Sequence, residues 1–151
     1  MSTLNLPSFD VKMRKNENVL EIFDPLRRKY LVLTPEEWVR QHFINYLITE
    51  KGYPATLMAN EKLIKLNSLS RRCDTVVYNR EMNPVAICEY KNPDIEVTQE
   101  VFDQIIRYNI VLRVNYLIVS NGINHYCCKV NNEDLSYVFL EEIPHYKDLT
   151  L

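Results

Sequence analysis

Residues 73–92, CDTVVYNREMNPVAICEYKN, decide how the rest of this chain can fold. Residues 74–78 are rich in β-formers, residues 79–84 are polar and end in proline, and residues 85–90 resume an apolar run. The pattern predicts a hairpin whose tip falls between Glu81 and Met82. That symmetry sets Asp74 opposite Glu89, with facing Cβ atoms roughly 4.5–5.5 Å apart. Like charges so close are destabilising unless something neutralises them. Because side chains alternate along a strand, Glu89 and Lys91 project from one face. Two carboxylates and an ammonium then converge, the outline of a divalent-metal site.

Outward from the hairpin, helices and strands alternate. Thr34-Pro35-Glu36-Glu37 is a helix start: Thr34 caps, Pro35 suits the first helical position and Glu37 completes a capping box. The apolar positions Trp38, Phe43, Ile44, Leu47 and Ile48 keep a helical period up to a stop at Lys51-Gly52. A second helix is predicted over 99–113, again entered through a threonine. Before the first helix lie a small hairpin, 11–15 and 19–23 around Asn16-Glu17-Asn18, and an extended piece at 30–33. Residues 55–66 are extended, NYLIVS at 115–120 reads as a strand buried on both faces, and strands at 125–130 and 136–140 follow. Residues 1–8 and 146–151 read as loose tails of a single domain spanning 1–151.

Composition narrows the function. At 151 residues, 46% hydrophobic and 25% charged, the chain suits one globular domain. With no apolar run near the ~20 residues of a membrane span and no leader-like h-region, a cytoplasmic address is expected. The cysteines at 73, 88, 127 and 128 lack zinc-finger spacing and read as buried thiols. Only two glycines occur, Gly52 and Gly122, so neither a Rossmann turn nor a phosphate-cradling loop can be built, and no nucleotide triphosphate is expected on this chain. A net charge of −2 gives no global hint of nucleic acid. The local basic clusters Lys12, Arg14, Lys15 and Arg27, Arg28, Lys29 read as solvated surface, whereas Arg71 and Arg72 would flank the acids.

With Asp74 and Glu89-Tyr90-Lys91 on a hairpin, the sequence resembles the PD-(D/E)XK nuclease superfamily. More closely, it resembles the N-terminal nuclease domain of type I restriction enzyme R subunits. The likeness takes in TPEEWVRQHFINYL, RRCDTVVYN, AICEYKNP, FDQIIRYN and LIVSNG, about residues 7–145. Cys73 departs from it, standing where the name-giving motif has proline.

The resemblance implies an α/β restriction-endonuclease-like fold, a mixed central sheet flanked by helices, that cleaves DNA with Mg²⁺, Mn²⁺ substituting. It implies metal ligation by Asp74, Glu89, the Tyr90 backbone carbonyl and, directly or through water, Glu37, with Lys91 orienting the attacking water or stabilising developing charge. Gln104 and Tyr108, four apart on one helix face, would approach the metal or the DNA, with Arg71 and Arg72 also contacting nucleic acid. Restriction-system subunits are the implied partners. Two readings from other classes stay open: a DNA-binding or assembly module that does not cut, and an interaction protein with no nucleic-acid role. A chance ion-paired sheet edge, worth roughly 0–1 kcal/mol per exposed pair, is the bland account of the acids.

Overall fold

Glu17 and Asn18 both take positive φ, 48° and 68°, the backbone of a type I′ turn, and so close the first hairpin tightly. In this computed structural model, which describes residues 1–149, the turn joins β1 (Met13–Asn16) to β2 (Val19–Asp24). β3 (Lys29–Val32) completes a three-stranded antiparallel sheet with Ile22 and Asp24 buried on its inner side. α1 (Pro35–Glu50) begins as predicted, the Thr34 hydroxyl accepting the Glu37 N–H at 3.0 Å.

The main sheet follows: β4 (Met58–Leu66), β5 (Leu69–Tyr78), β6 (Pro84–Tyr90), β7 (Tyr116–Ser120), β8 (His125–Asn131) and β9 (Ser136–Leu140). They pair in sequence order, and only β6–β7 is parallel. α2 (Gln99–Asn109) is the connection that this parallel pair requires. The expected α/β fold, a mixed sheet flanked by helices, is therefore the one observed.

Strand alternation assigns the two faces. Ala86, Cys88 and Tyr90 of β6, with Tyr116 and Ile118 of β7, pack against Val39, Phe43, Ile44 and Leu47 of α1. Ile87, Leu117 and Val119 pack instead against Phe102 and Ile106 of α2. Cys127 joins the first cluster and Cys128 the second, and all four thiols are buried and free. Burial raises the pKa of each.

Two boundaries differ from expectation. β5 starts at Leu69 because Asn67, at φ 55°, turns the chain straight back from β4. The polar run Ser70-Arg71-Arg72 concealed that start, since this end of the hairpin reaches past the core. The second helix ends at Asn109 and tightens into a 3₁₀ turn, Ile110–Leu112, closed by Arg113 at φ 57°.

Nor are residues 1–8 a loose tail. Asn5 N–H bonds Gly122 O at 2.8 Å, Trp38 Nε1 donates to Ser2 O, and Leu4 and Leu6 pack on the α1-side core. Gly122 is required there: its φ is 85°, and a Cβ would lie 2.7 Å from Leu4 Cδ2. At the other end Tyr146 is buried and donates to Tyr78 O, while 150–151 of the expected tail lie outside the described residues.

Candidate active site

β5 and β6 pair Thr75 with Cys88 and Val76 with Ile87. One step further along the same ladder sets Asp74 against Glu89, the register expected from the sequence. Glu89 and Lys91 fall on the α2 face, while the Tyr90 ring turns to the α1 face and presents backbone to the site.

These groups open into a cleft of ≈ 530 Å³ lined by Asp74, Glu89, Tyr90 and Lys91 together with Arg72, Gln104 and Tyr108. Gln104 and Tyr108 hang over the strand ends from α2. Tyr108 is 54% exposed, and the Arg71 guanidinium lies 4.4 Å from its ring centroid. Arg71 thus meets the cleft only through Tyr108. Lys91 makes no ion pair within 4.0 Å among the described residues, which leaves its ammonium available.

The acids are held unequally. Asp74 Oδ2 accepts the Tyr90 N–H at 2.8 Å, which fixes its carboxylate across the strand pair. The Glu89 carboxyl neighbours Asp74 across the strand pair. Burial and the neighbouring Asp74 charge push it up to about 9, against a weaker downward pull from Lys91. Burial and a second carboxyl group alongside both favour the protonated form of Glu89, and a cation bound there would favour the ionised one.

Glu37 corrects one expectation, for it does not line the cleft. It is 7% exposed, and its oxygens accept Arg27 Nη2 at 2.8 and 2.9 Å and Gln41 Nε2 at 3.0 Å. Arg40 Nε lies 3.1 Å from it as well. With both oxygens occupied by cations and an amide, Glu37 has no lone pair directed at the acids. Its neighbour Glu36 lines the cleft instead.

Behind the site Glu37 belongs to a buried polar circuit. Arg40 donates to the Asp74 backbone carbonyl and to Glu61 Oε1. Arg27 bridges Glu37 to Asp24, which also accepts Asn60 Nδ2 at 2.8 Å. Asn60 Oδ1 accepts from Thr75, whose hydroxyl oxygen accepts the Tyr90 O–H at 2.9 Å. Burial opposes ionisation of Asp24, but hydrogen bonds from Arg27, Asn60 and the Leu26 N–H lower its pKa all the same. The circuit pins β5 at Asp74 and Thr75, and β6 at Tyr90, from the face opposite the acids.

Glu36, Arg40, Asn60 and Asn109 escaped the sequence reading. Asn109 lines the cleft at 2% exposure, with Oδ1 lacking any hydrogen-bond partner among the described residues. Arg40, three residues after Glu37, carried the one readable signal, because i,i+3 side chains meet on a helix.

The donor set is oxygen only. Among the described residues no group of three or more His, Cys, Asp and Glu side chains could hold a metal ion. Two carboxyl groups with an adjacent backbone fit a hard cation that keeps several waters, and do not fit zinc. Among the described residues no helix is long and apolar enough to cross a membrane.

No curated protein matches the sequence. In structure the chain is similar to a fragment assigned as an HsdR subunit of a type I restriction enzyme from Vibrio vulnificus YJ016. The TM-score is 0.50 at 18% identity, covering 78% of this chain and 24% of that one. The family described as "Type I restriction enzyme R protein N terminus (HSDR_N)" matches residues 35–144, most of the chain. This protein therefore belongs to the type I restriction enzyme R protein N-terminal family.

Proposed function

We propose that the chain is a Mg²⁺-dependent DNA endonuclease of the PD-(D/E)XK type. The observation that carries this reading is the convergence of Asp74, Glu89 and Lys91 on one open cleft. Asp74, Glu89 and the Tyr90 carbonyl would hold the ion. When bound, it supplies charge neutralisation at the phosphate and lowers the pKa of an attacking water.

The chain's own residues do the rest. Asp74, fixed by the Tyr90 N–H, and Glu89 orient water on the strand side. Lys91, without an ion pair among the described residues, faces the phosphate and stabilises the charge that develops there. Arg72, Gln104 and Tyr108 form the rim on which the nucleic-acid backbone would rest. Glu36 replaces Glu37 as the helix carboxylate of the cleft, and Glu37 serves as a positioning residue through Arg40.

The test is nicking of supercoiled plasmid with Mg²⁺ or Mn²⁺, with Ca²⁺ and chelator as controls. Cleavage by the wild type that Glu89→Ala and Lys91→Ala abolish, with folding intact, supports the reading. DNA binding with no cleavage by any of the three sinks it and favours a non-cutting module, the alternative that the net charge of −2 recommends.

A further inference from the structure

On the outward side of the small sheet, cations interleave with aromatic rings. The register sets Arg14, Glu21 and Val32 in one row and Phe23 beside Tyr30 in the next. Lys12 Nζ sits 5.2 Å from the Phe23 centroid, Arg14 Cζ lies 4.1 Å from that of Tyr30, and the two rings meet at 5.2 Å. Among the described residues Arg14 is ion-paired only to Glu21, at 2.7 Å with half its side chain exposed, a pair that solvent screens and a ligand can replace. Lys15, Arg28 and Lys29 are exposed and make no ion pair within 4.0 Å among the described residues.

Residues 12–32 carry six Lys and Arg against three Asp and Glu on a chain whose total charge is −2, and on the outward face Lys12 and Arg14 stand against Glu21, while Lys15 and Lys29 project from the other side with Leu20 and Asp24. Charge is segregated onto this sheet. We infer that the outward face of β1–β3 is a second nucleic-acid site, one that holds a single strand with phosphates on Lys12 and Arg14 and bases against Phe23 and Tyr30. A positive β-surface carrying half-buried rings suits unpaired bases, because every base offers a π-face to stack. Rigid duplex would use the cations and leave the rings idle.

Placement ties this face to the cleft. β3 ends at Val32, and Glu36, four residues on, already lines the cleft, a chain length of at most ~14 Å. The inference rests on the nuclease reading for that continuity alone, since binding is measured apart from cleavage.

The experiment uses the full chain in Ca²⁺ with fluorescein-labelled oligo(dT), and reads anisotropy against KCl concentration. Lys12→Glu with Arg14→Glu should weaken binding at least tenfold, and two lost phosphate contacts should flatten the salt slope by about 1.4. Tyr30→Ala should weaken it about tenfold with the slope kept, the mark of lost stacking. Should the charge-reversed pair fail to fold, Arg14→Gln carries the same test with a slope change of about 0.7. Oligo(dT) binding equal to wild type in the charge variants overturns the inference. So does a loss on charge reversal that Tyr30→Ala does not share, which would mark a surface for any polyanion, such as an acidic protein. Wild type that binds oligo(dT) through these residues yet never cuts DNA overturns the nuclease reading and leaves this site standing.

Discussion

The backbone N–H of Tyr90 donates to Asp74 Oδ2 at 2.8 Å, so one acid of the pair is locked by the strand that carries the other. Burial and the Asp74 charge raise the pKa of Glu89 to about 9, against an ordinary value of 4.5. A carboxyl raised in the fold contributes most below its unfolded pKa, and that contribution is lost as pH rises through the folded one. Without a divalent ion, stability should therefore fall between about pH 4.5 and 9. Glu89→Gln removes the titration. It should raise stability at pH 8 by on the order of 2–4 kcal/mol in chelator, read as a higher Tm, while eliminating cleavage. An unchanged Tm at pH 8 would show that Glu89 ionises freely in the fold.

Glu36 and Glu37 should separate function from stability. Glu37→Ala leaves Arg27 and Arg40 facing one another without their shared carboxylate. Breaking a buried ionic network in this way costs about 3–5 kcal/mol. Glu36→Ala sits at an exposed helix start and should move stability by less than about 0.5 kcal/mol, yet lower cleavage. Denaturant melts together with plasmid nicking read both effects. A stable Glu37→Ala protein that binds cation poorly would restore Glu37 to the metal.

How much of this was legible in the sequence depends on how local the cause was. The hairpin register followed from strand alternation and one polar loop, and Thr34 announced α1 through its own side chain. Which of two adjacent glutamates faces the cleft was not legible. The capping pattern singles out Glu37 because its N–H meets Thr34, whereas its side chain goes to Arg27, ten residues away across another sheet. The docking of residues 1–8 was hidden for the same reason. Its partners, Trp38 on α1 and Gly122 and His125 near the far end, all lie well along the chain.

Lys91 should behave as a group free to act. Because it makes no ion pair among the described residues, Lys91→Ala should keep its Tm and its DNA affinity in Ca²⁺. Cleavage should fall by about 10²–10³-fold, the usual cost of losing one group that stabilises developing charge. Lys91→Arg restores charge but not the compact ammonium and should recover only part of the rate. A loss of Ca²⁺-dependent DNA binding equal to the loss in rate would assign Lys91 to ground-state binding instead.

Proton release on metal binding is the sharpest consequence of the shared proton. A cation held between Asp74 and Glu89 must displace the proton that Glu89 retains below about pH 9. Titrations of Mn²⁺ into the chain at pH 7, in two buffers of different ionisation enthalpy, should give apparent heats differing by about one proton per ion. Affinity should rise with pH by up to about tenfold per unit until Glu89 ionises unaided. In Glu89→Gln the buffer dependence should vanish along with most of the affinity. Wild-type heats that are identical in the two buffers would mean that the ion binds elsewhere, or that both acids are already ionised at pH 7.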